Sequence, residues 1–139
     1  MFIRHYRILT QYATALIGVI QVNINPAYKA YELEYSLAKV GCKGIVMYDK
    51  MKHQNYLEML LNVCPELETS KPGNLNSLRL PSLKHVISVG KKEHHQGTIP
   101  FNKLETYGDT DTFNVLNKLS SQIQASDPIN IQVIKKKVN

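Results

Sequence analysis

Apolar residues occur in short blocks along the chain, and the spacing within each block predicts its secondary structure. Residues 8–18 are rich in Ala, Leu and Ile and predict a helix ending near Gly18, because glycine is favoured just beyond helix C-termini. The β-branched run Val19–Ile24 predicts a short strand. Asn25 and Pro26 then predict the cap and first residue of a second helix, since proline lacks only an N–H that is unpaired there.

The second helix has the clearest amphipathic pattern in the chain. Its apolar residues recur at spacings of three and four and form one stripe, which comprises Ala30, Leu33, Leu37 and Val40. Gly41 predicts the end of this helix, and the run Lys43–Tyr48 predicts a second strand. Residues 51–63 repeat the helical period as far as Cys64 and Pro65, where proline prevents continuation.

Strand-forming and turn-forming stretches alternate in the second half of the chain. Residues 69–81 predict a loop, and the segments that follow predict a strand at His85–Val89, a weaker helix at Phe113–Ile123 and a strand at Ile129–Ile134. Because helices and strands alternate, we expect an α/β fold built on a partial parallel sheet with flanking helices.

Length and composition are those of an ordinary globular protein. A chain of 139 residues corresponds to about one domain. The hydrophobic fraction of 43% excludes a disordered chain, and 7 Gly, 6 Pro and 2 Cys exclude a collagen and a disulfide scaffold. Cys42 and Cys64 have no zinc-like spacing, so we expect buried, reduced thiols.

The net charge of +6 is concentrated at the C-terminus. Lys135, Lys136 and Lys137 supply three of the six charges. Three tail lysines are too few for a sequence-specific nucleic-acid footprint, so we expect no nucleic-acid partner.

Two interpretations remain open for the N-terminal region. No Asp or Glu occurs before Glu32, and Arg4 and Arg7 precede the apolar stretch Tyr12–Ile20, which is the layout of a targeting segment. The stretch is too short to span a membrane and no small-residue cleavage site follows it. These two observations favour a helix of the core, and a targeting segment is the alternative.

The histidines, glutamates and glycines of the sequence do not match the spacing of a known catalytic, metal or phosphate site. The pair His94 and His95 would point to opposite faces of a strand, so it predicts a solvated loop rather than a metal site. Glu32 and Glu34 lie two apart on a helix and predict surface groups. No phosphate-binding glycine motif and no nucleophile elbow occurs. We therefore assign no catalytic, cofactor-binding or metal-binding residue.

Three tyrosines form a second stripe on the amphipathic helix. Tyr28, Tyr31 and Tyr35 lie at i, i+3 and i+7, beside the leucine stripe. Such a stripe is typical of the edge of a core. A platform for stacking bases is the alternative, but Glu32 and Glu34 cancel the local positive charge that it would need.

Several ordered motifs carry a resemblance to a known family. Asn25 to Leu37 has the pattern Asn-Pro-x-Tyr-x-x-x-Glu-Leu-x-Tyr-x-Leu, followed by Val-Gly-Cys-Lys. Cys64–Leu67, Arg79–Pro81 and Asp127–Gln132 fit the same family in order. The chain thus resembles, from about residue 6 to residue 132, the N-terminal subdomain of the adenylate-forming acyl-CoA synthetases, and within them the mitochondrial medium-chain ligase group.

The resemblance implies that residues 1–134 are an incomplete N-terminal region of an AMP-dependent synthetase and that 135–139 are a divergent basic tail. In the family the last strand continues into Thr-Ser-Gly-Thr-Thr-Gly-x-Pro-Lys-Gly, which wraps the ATP phosphates. Here Gln132 is followed by Val-Ile-Lys-Lys-Lys-Val-Asn, without glycines or hydroxyls.

The complete enzyme would use ATP, Mg²⁺ and coenzyme A to convert a fatty acid to an acyl-adenylate and then to acyl-CoA. It would be a ligase of lipid metabolism, in the mitochondrial matrix or the cytoplasm. The chain shows no clear transit peptide, and by itself it is expected to bind no cofactor and to be inactive. The alternative is a non-catalytic interaction module, in which the exposed edge of Ile129–Ile134 pairs with another chain or with a second copy.

Overall fold

The computed structural model describes residues 2–51, 53–90 and 95–133. The chain divides into two compact units, where its length predicts about one domain. Unit 1 consists of Met1–Asn25 and Gly108–Asn139, and unit 2 consists of Pro26–Tyr107. Unit 2 is thus inserted in the sequence between the two halves of unit 1.

Unit 2 is built on a three-stranded parallel sheet. Strand β5 (His85–Val89) lies in the middle, with β2 (Gly44–Tyr48) on one side and β6 (Ile99–Pro100) on the other. In the register of β2 and β5, Ile45 aligns with Val86. A short antiparallel pair, β3 with β4, precedes the second helix of the unit. In chain order the elements are α2 (Ala30–Val40), β2 (Gly44–Tyr48), β3 (Lys50–Met51), β4 (Gln54–Asn55), α3 (Tyr56–Val63), a 3-10 helix (Pro65–Glu68), β5 (His85–Val89), β6 (Ile99–Pro100) and a second 3-10 helix (Phe101–Tyr107).

Helix α2 begins later than the sequence predicts. Its cap is Lys29, whose backbone N–H donates to Glu32 Oε2 at 3.0 Å, so Asn25 and Pro26 lie in the turn before the helix. The glutamate satisfies an N–H that would be orphaned at the helix start, which fixes the first turn four residues downstream of the proline. The predicted end at Gly41 is confirmed, because Gly41 has φ +65°, a left-handed conformation that glycine adopts without a Cβ clash.

Helix α3 also starts later than its apolar spacing indicates. Asn55 caps it by accepting a hydrogen bond from the Glu58 N–H at 3.2 Å, after the β3–β4 pair has used the preceding residues. Its predicted end is confirmed, since Cys64 is the C-cap and Pro65 opens the following 3-10 helix.

The core of unit 2 consists of leucines from helices and loop together. From the helices come Leu33, Leu37 and Leu60, and the 3-10 helix adds Leu67. The predicted loop, residues 69–81, is a loop, yet it contributes the buried side chains of Leu75 and Leu80, and Leu83 just after it is buried as well. Val86 on β5 is also buried. Burial of this kind contributes about 1.5–3 kcal/mol for each leucine.

Unit 1 contains two helices and a two-stranded parallel sheet. The sheet pairs β1 (Gln21–Asn23) with β7 (Asn130–Gln132), and Val22 aligns with Ile131. On its polar face Asn23 Nδ2 donates to Asn130 Oδ1 at 3.1 Å. The elements are α1 (Phe2–Leu16), β1 (Gln21–Asn23), α4 (Thr110–Ser120, capped by Asp109) and β7 (Asn130–Gln132).

Both strands of unit 1 are shorter than predicted. Helix α4 begins three residues before the predicted start at Phe113, because Asp109 caps it: Asp109 Oδ1 accepts from the Thr112 N–H at 2.7 Å. Ile134 and the predicted basic tail, residues 135–139, lie outside the described residues, as does His94.

Helix α1 forms where an apolar helix is predicted, but the expectation of a core helix is wrong. Its half-buried residues are largely polar and include Tyr6, Thr10 and Thr14, whereas Ile8 and Tyr12 are exposed. The two threonine hydroxyls donate to backbone carbonyls one turn earlier, at 2.7 and 2.8 Å, so they are satisfied inside the helix. In the described residues no helix is long and apolar enough to cross a membrane.

The predicted fold class is confirmed, because the three-stranded sheet and the β1–β7 pair are both parallel and helices lie between β2 and β5 and between β1 and β7 in the chain. The strand His85–Val89 has the predicted bounds. The proposed boundary between residues 134 and 135 falls in the part of the chain that is not described, so it stays a prediction.

Two leucine-to-alanine substitutions test the assignment of the core. Leu60 is 0% exposed, whereas Leu78 is 92% exposed. Leu60→Ala is expected to lower the free energy of unfolding by about 2–5 kcal/mol because it leaves a cavity. Leu78→Ala, the matched control, is expected to change it by less than about 0.5 kcal/mol. Urea denaturation followed by circular dichroism measures both, and equal losses would contradict the assignment.

Candidate functional site

The closest grouping of polar and titratable side chains lies in unit 2, where α3 passes into the first 3-10 helix. Proline at position 65 starts the tighter helix with its fixed φ, which places Cys64 at the junction and Glu66 in the first turn of the 3-10 helix. The leucine-rich loop brings Ser77 to the same place. We call Cys64, Glu66 and Ser77 the Glu66 cluster.

Hydrogen bonds in the Glu66 cluster attach the loop to the helix. Glu66 Oε1 accepts from the Leu78 N–H at 3.0 Å, and the Ser77 hydroxyl oxygen accepts from the Leu80 N–H at 3.3 Å. From the helix side, the Ser70 hydroxyl donates to the Glu66 backbone carbonyl at 2.6 Å. The cluster therefore positions the loop that supplies Leu75, Leu80 and Leu83 to the core.

The ionisation of the cluster fits this structural role. The hydrogen bond from the Leu78 N–H, above all, lowers the pKa of Glu66 below its ordinary value of 4.5, so the carboxylate is charged at neutral pH. Burial raises the pKa of the Cys64 thiol, although a hydrogen bond with Ser77 opposes the shift. A protonated, fully buried thiol is a poor nucleophile. The cluster can hold a loop, but it has no activated nucleophile.

An ion pair lies beside the cluster. Arg79 Nη1 is 3.6 Å from Glu34 Oε2, and both side chains reach solvent. Pairs of this kind contribute little to stability because water screens them. The sequence predicts that Glu32 and Glu34 do not form a carboxylate pair. The structure agrees, since Glu32 caps α2 and Glu34 faces Arg79.

The second thiol lies at a small groove. Cys42 lines it together with Leu37, Gly41, Leu80 and Leu83, and the groove has a volume of about 230 Å³. Ligand pockets are usually about 300–1,000 Å³, so this groove is small for a ligand. Both cysteines are free; Cys64 is buried as predicted, whereas Cys42 is half-buried, and burial raises the pKa of its thiol.

The tyrosine stripe does not form the edge of the core. Tyr31 is 74% exposed and Tyr35 is 55% exposed, so the prediction is wrong for both. The buried face of α2 carries Leu33, Ser36 and Leu37. Ser36 can occupy that face because its hydroxyl donates to the Glu32 carbonyl at 2.7 Å.

The histidines do not converge in the part of the chain that is described. His85 is exposed at the start of β5, and His95 is half-buried before β6. Among the described residues, no three His, Cys, Asp or Glu side chains are close enough together to hold a metal ion.

The amino-acid sequence of the chain is similar to those of several curated proteins. No family model matches it. It is 46% identical over 126 residues to the mitochondrial medium-chain acyl-CoA ligase ACSF2 of Rattus norvegicus, and 40% identical over 125 residues to that of Danio rerio. Each match covers 90% of this chain and 20% of the relative. A protein of Bacillus subtilis, whose name assigns it provisionally to the acyl-CoA synthetases, is 32% identical over 122 residues.

The chain is homologous to the acyl-CoA synthetases. The similarity extends over nine tenths of its own length, and it spans about a fifth of the length of the curated relatives that it matches. The α/β fold with parallel strands is consistent with a part of an acyl-CoA synthetase, as the resemblance implies. The Glu66 cluster was missed in the sequence because its members meet across a loop, and no local spacing signals that contact.

Acid titration of unfolding tests the role assigned to Glu66. Because the folded pKa lies below the unfolded value, its contribution to stability is fully present above about pH 4.5 and is lost as the pH falls through the lowered folded value. Glu66→Gln is therefore expected to be less stable than the wild type at neutral pH, and the difference should shrink in acid. Glu68→Gln, an exposed neighbour, is the control. Chemical denaturation from pH 7 to pH 3 measures this, and a difference independent of pH would contradict it.

Proposed function

We propose that this chain is a structural segment of an acyl-CoA ligase. The observation that carries the proposal is identity of 40–46% with medium-chain acyl-CoA ligases over nine tenths of the chain. The complete enzyme would join ATP and a medium-chain fatty acid into an acyl-adenylate and release pyrophosphate. It would then transfer the acyl group to coenzyme A and release AMP. Mg²⁺ would accompany the ATP.

We infer that the 139 residues alone do not catalyse this reaction. The sequence contains no glycine-rich, hydroxyl-rich phosphate loop, and three lysines without glycines cannot form its cradle of backbone N–H groups. In the described residues the Glu66 carboxylate is engaged by a backbone N–H and both thiols have raised pKa values. What the chain contributes to a ligase is a folded scaffold, with unit 2 as its packed part.

A second candidate function is that of an interaction module which pairs through the last strand. Strand β7 has β1 as its neighbour on one side, and in the described residues no strand pairs with its other side. A two-stranded parallel sheet leaves a row of backbone donors and acceptors open at each outer edge, which a further strand satisfies.

A pyrophosphate assay tests the proposed inactivity. The purified chain, incubated with ATP, Mg²⁺ and octanoate, is expected to release no more pyrophosphate than a blank without fatty acid. The intact rat ligase, assayed in parallel, is the positive control. Release that depends on both ATP and octanoate would contradict the proposal.

Light scattering during gel filtration tests the interaction module. Pairing through β7 predicts a dimer whose fraction rises with concentration. Gln132→Pro should reduce that fraction, because the Ile129 carbonyl accepts from the Gln21 N–H of β1 and the alternation of the strand therefore places the Gln132 N–H at the open edge, where proline cannot donate to a ladder. Leu78→Ala in unit 2 serves as the control. A monodisperse monomer at every concentration would count against this second function.

A further inference from the structure

Unit 1 displays its hydrophobic residues to solvent. Every buried hydrophobic side chain in the described residues belongs to unit 2, whereas most of the large exposed ones belong to unit 1. A soluble monomer seldom leaves apolar side chains exposed side by side, and an exposed cluster of them marks an interaction site.

The clearest part of this surface is on α1. Four exposed residues, Ile8, Leu9, Tyr12 and Leu16, fall within about 100° of the helix circumference. We call them the α1 stripe. The half-buried side of the same helix carries Thr10 and Thr14. The amphipathic pattern is therefore inverted, with the apolar side in water, which is the pattern of a helix whose packing partner lies outside this structure.

The adjoining sheet indicates what kind of partner this is. Parallel strands normally belong to sheets that are covered on both faces and continued by further strands. Strands β1 and β7 pair with each other alone in the described residues, and Ile131 on β7 and Ile129 just before it are exposed. A lipid surface can bury the apolar side chains, but it cannot supply backbone partners for the open edges. The surface therefore fits a polypeptide.

The relatives indicate which polypeptide. In each medium-chain ligase the segment homologous to this chain is accompanied by about four times its length of further sequence. We propose that the α1 stripe docks against the polypeptide that corresponds to those remaining four fifths of a ligase. This inference rests on the proposed function, since it takes the partner from the same homology.

Co-expression provides the test. The complete chain, tagged, is produced together with the rat ligase from which the 126 matched residues have been deleted. The two polypeptides are expected to purify together. The double variant Ile8→Asp/Leu16→Asp should capture at least about tenfold less partner, because two side chains lose their apolar burial. The control is Arg7→Glu, an exposed charge change on the other side of α1.

A second measurement covers the case in which the deleted ligase does not fold. The complete chain is inserted into the rat ligase in place of its matched segment, and a Tyr12→Cys substitution is labelled with a maleimide. Tyr12 is 70% exposed, so labelling should be fast in the isolated chain and at least about tenfold slower in the chimera. Leu78→Cys, in unit 2, is the matched site for comparison in the isolated chain.

Other occupants give different results. Dimerisation of the chain alone that Ile8→Asp/Leu16→Asp abolishes, without capture of the ligase polypeptide, would assign the stripe to a second copy and overturn the proposal. Binding to mixed phosphatidylcholine and phosphatidylserine vesicles that Ile8→Asp/Leu16→Asp abolishes would assign the stripe to a membrane and overturn the proposal as well. If neither capture nor protection of Tyr12→Cys is seen, the proposal is wrong. The pyrophosphate assay of the isolated chain is independent of all these outcomes, so a failure of the proposed function remains distinguishable.

Discussion

Parallel strands must be covered, and this constraint separates the well-packed part of the molecule from the poorly packed part. In unit 2 the central strand β5 has a neighbour on each side, and the buried leucines among the described residues all belong to this unit. In unit 1 the same kind of pairing stops at two strands, with no buried hydrophobic side chain among its described residues. Among the described residues, the buried hydrophobic side chains lie in the unit with the three-stranded sheet, and those in the unit with the two-stranded sheet are exposed or half-buried.

The loop between the first 3-10 helix and β5 shows how polar contacts support a hydrophobic core. Loops usually run over the surface because their backbone groups need partners. Here Glu66 and Ser77 accept hydrogen bonds from the backbone N–H groups of Leu78 and Leu80, so the loop can turn its leucines inward without orphaned donors. A charged side chain at the edge of the core thus helps to hold the loop that supplies buried leucines.

Much of the architecture could be predicted from local pattern. The strand His85–Val89 has its predicted bounds because a β-branched run is followed directly by glycine, and Gly41 ends α2 because of its left-handed backbone. The start of α2 was misplaced because Asn25 and Pro26 compete with the pair Lys29 and Glu32, and only the folded geometry shows which of them caps the helix.

Burial was harder to predict than secondary structure. Two apolar stripes lie side by side on α2, and the periodicity of the sequence does not show that the leucine stripe is covered while Tyr31 and Tyr35 face water. For α1 the pattern predicts the helix, but the periodicity does not show that Ile8, Tyr12 and Leu16 face water. The Glu66 cluster depends on contacts across a loop, which no periodicity encodes.

The pairing of β1 with β7 also constrains the order in which the chain acquires its structure. The side chains of Asn23 and Asn130, which are 107 positions apart in the sequence, form a hydrogen bond with each other. During synthesis α1 and β1 are made long before the strand that closes their sheet, whereas all of unit 2 is made in between. Closure of a long loop is entropically costly, and prior folding of unit 2 shortens the effective loop. Strand β1 therefore has no partner strand until the whole inserted unit and α4 have been translated.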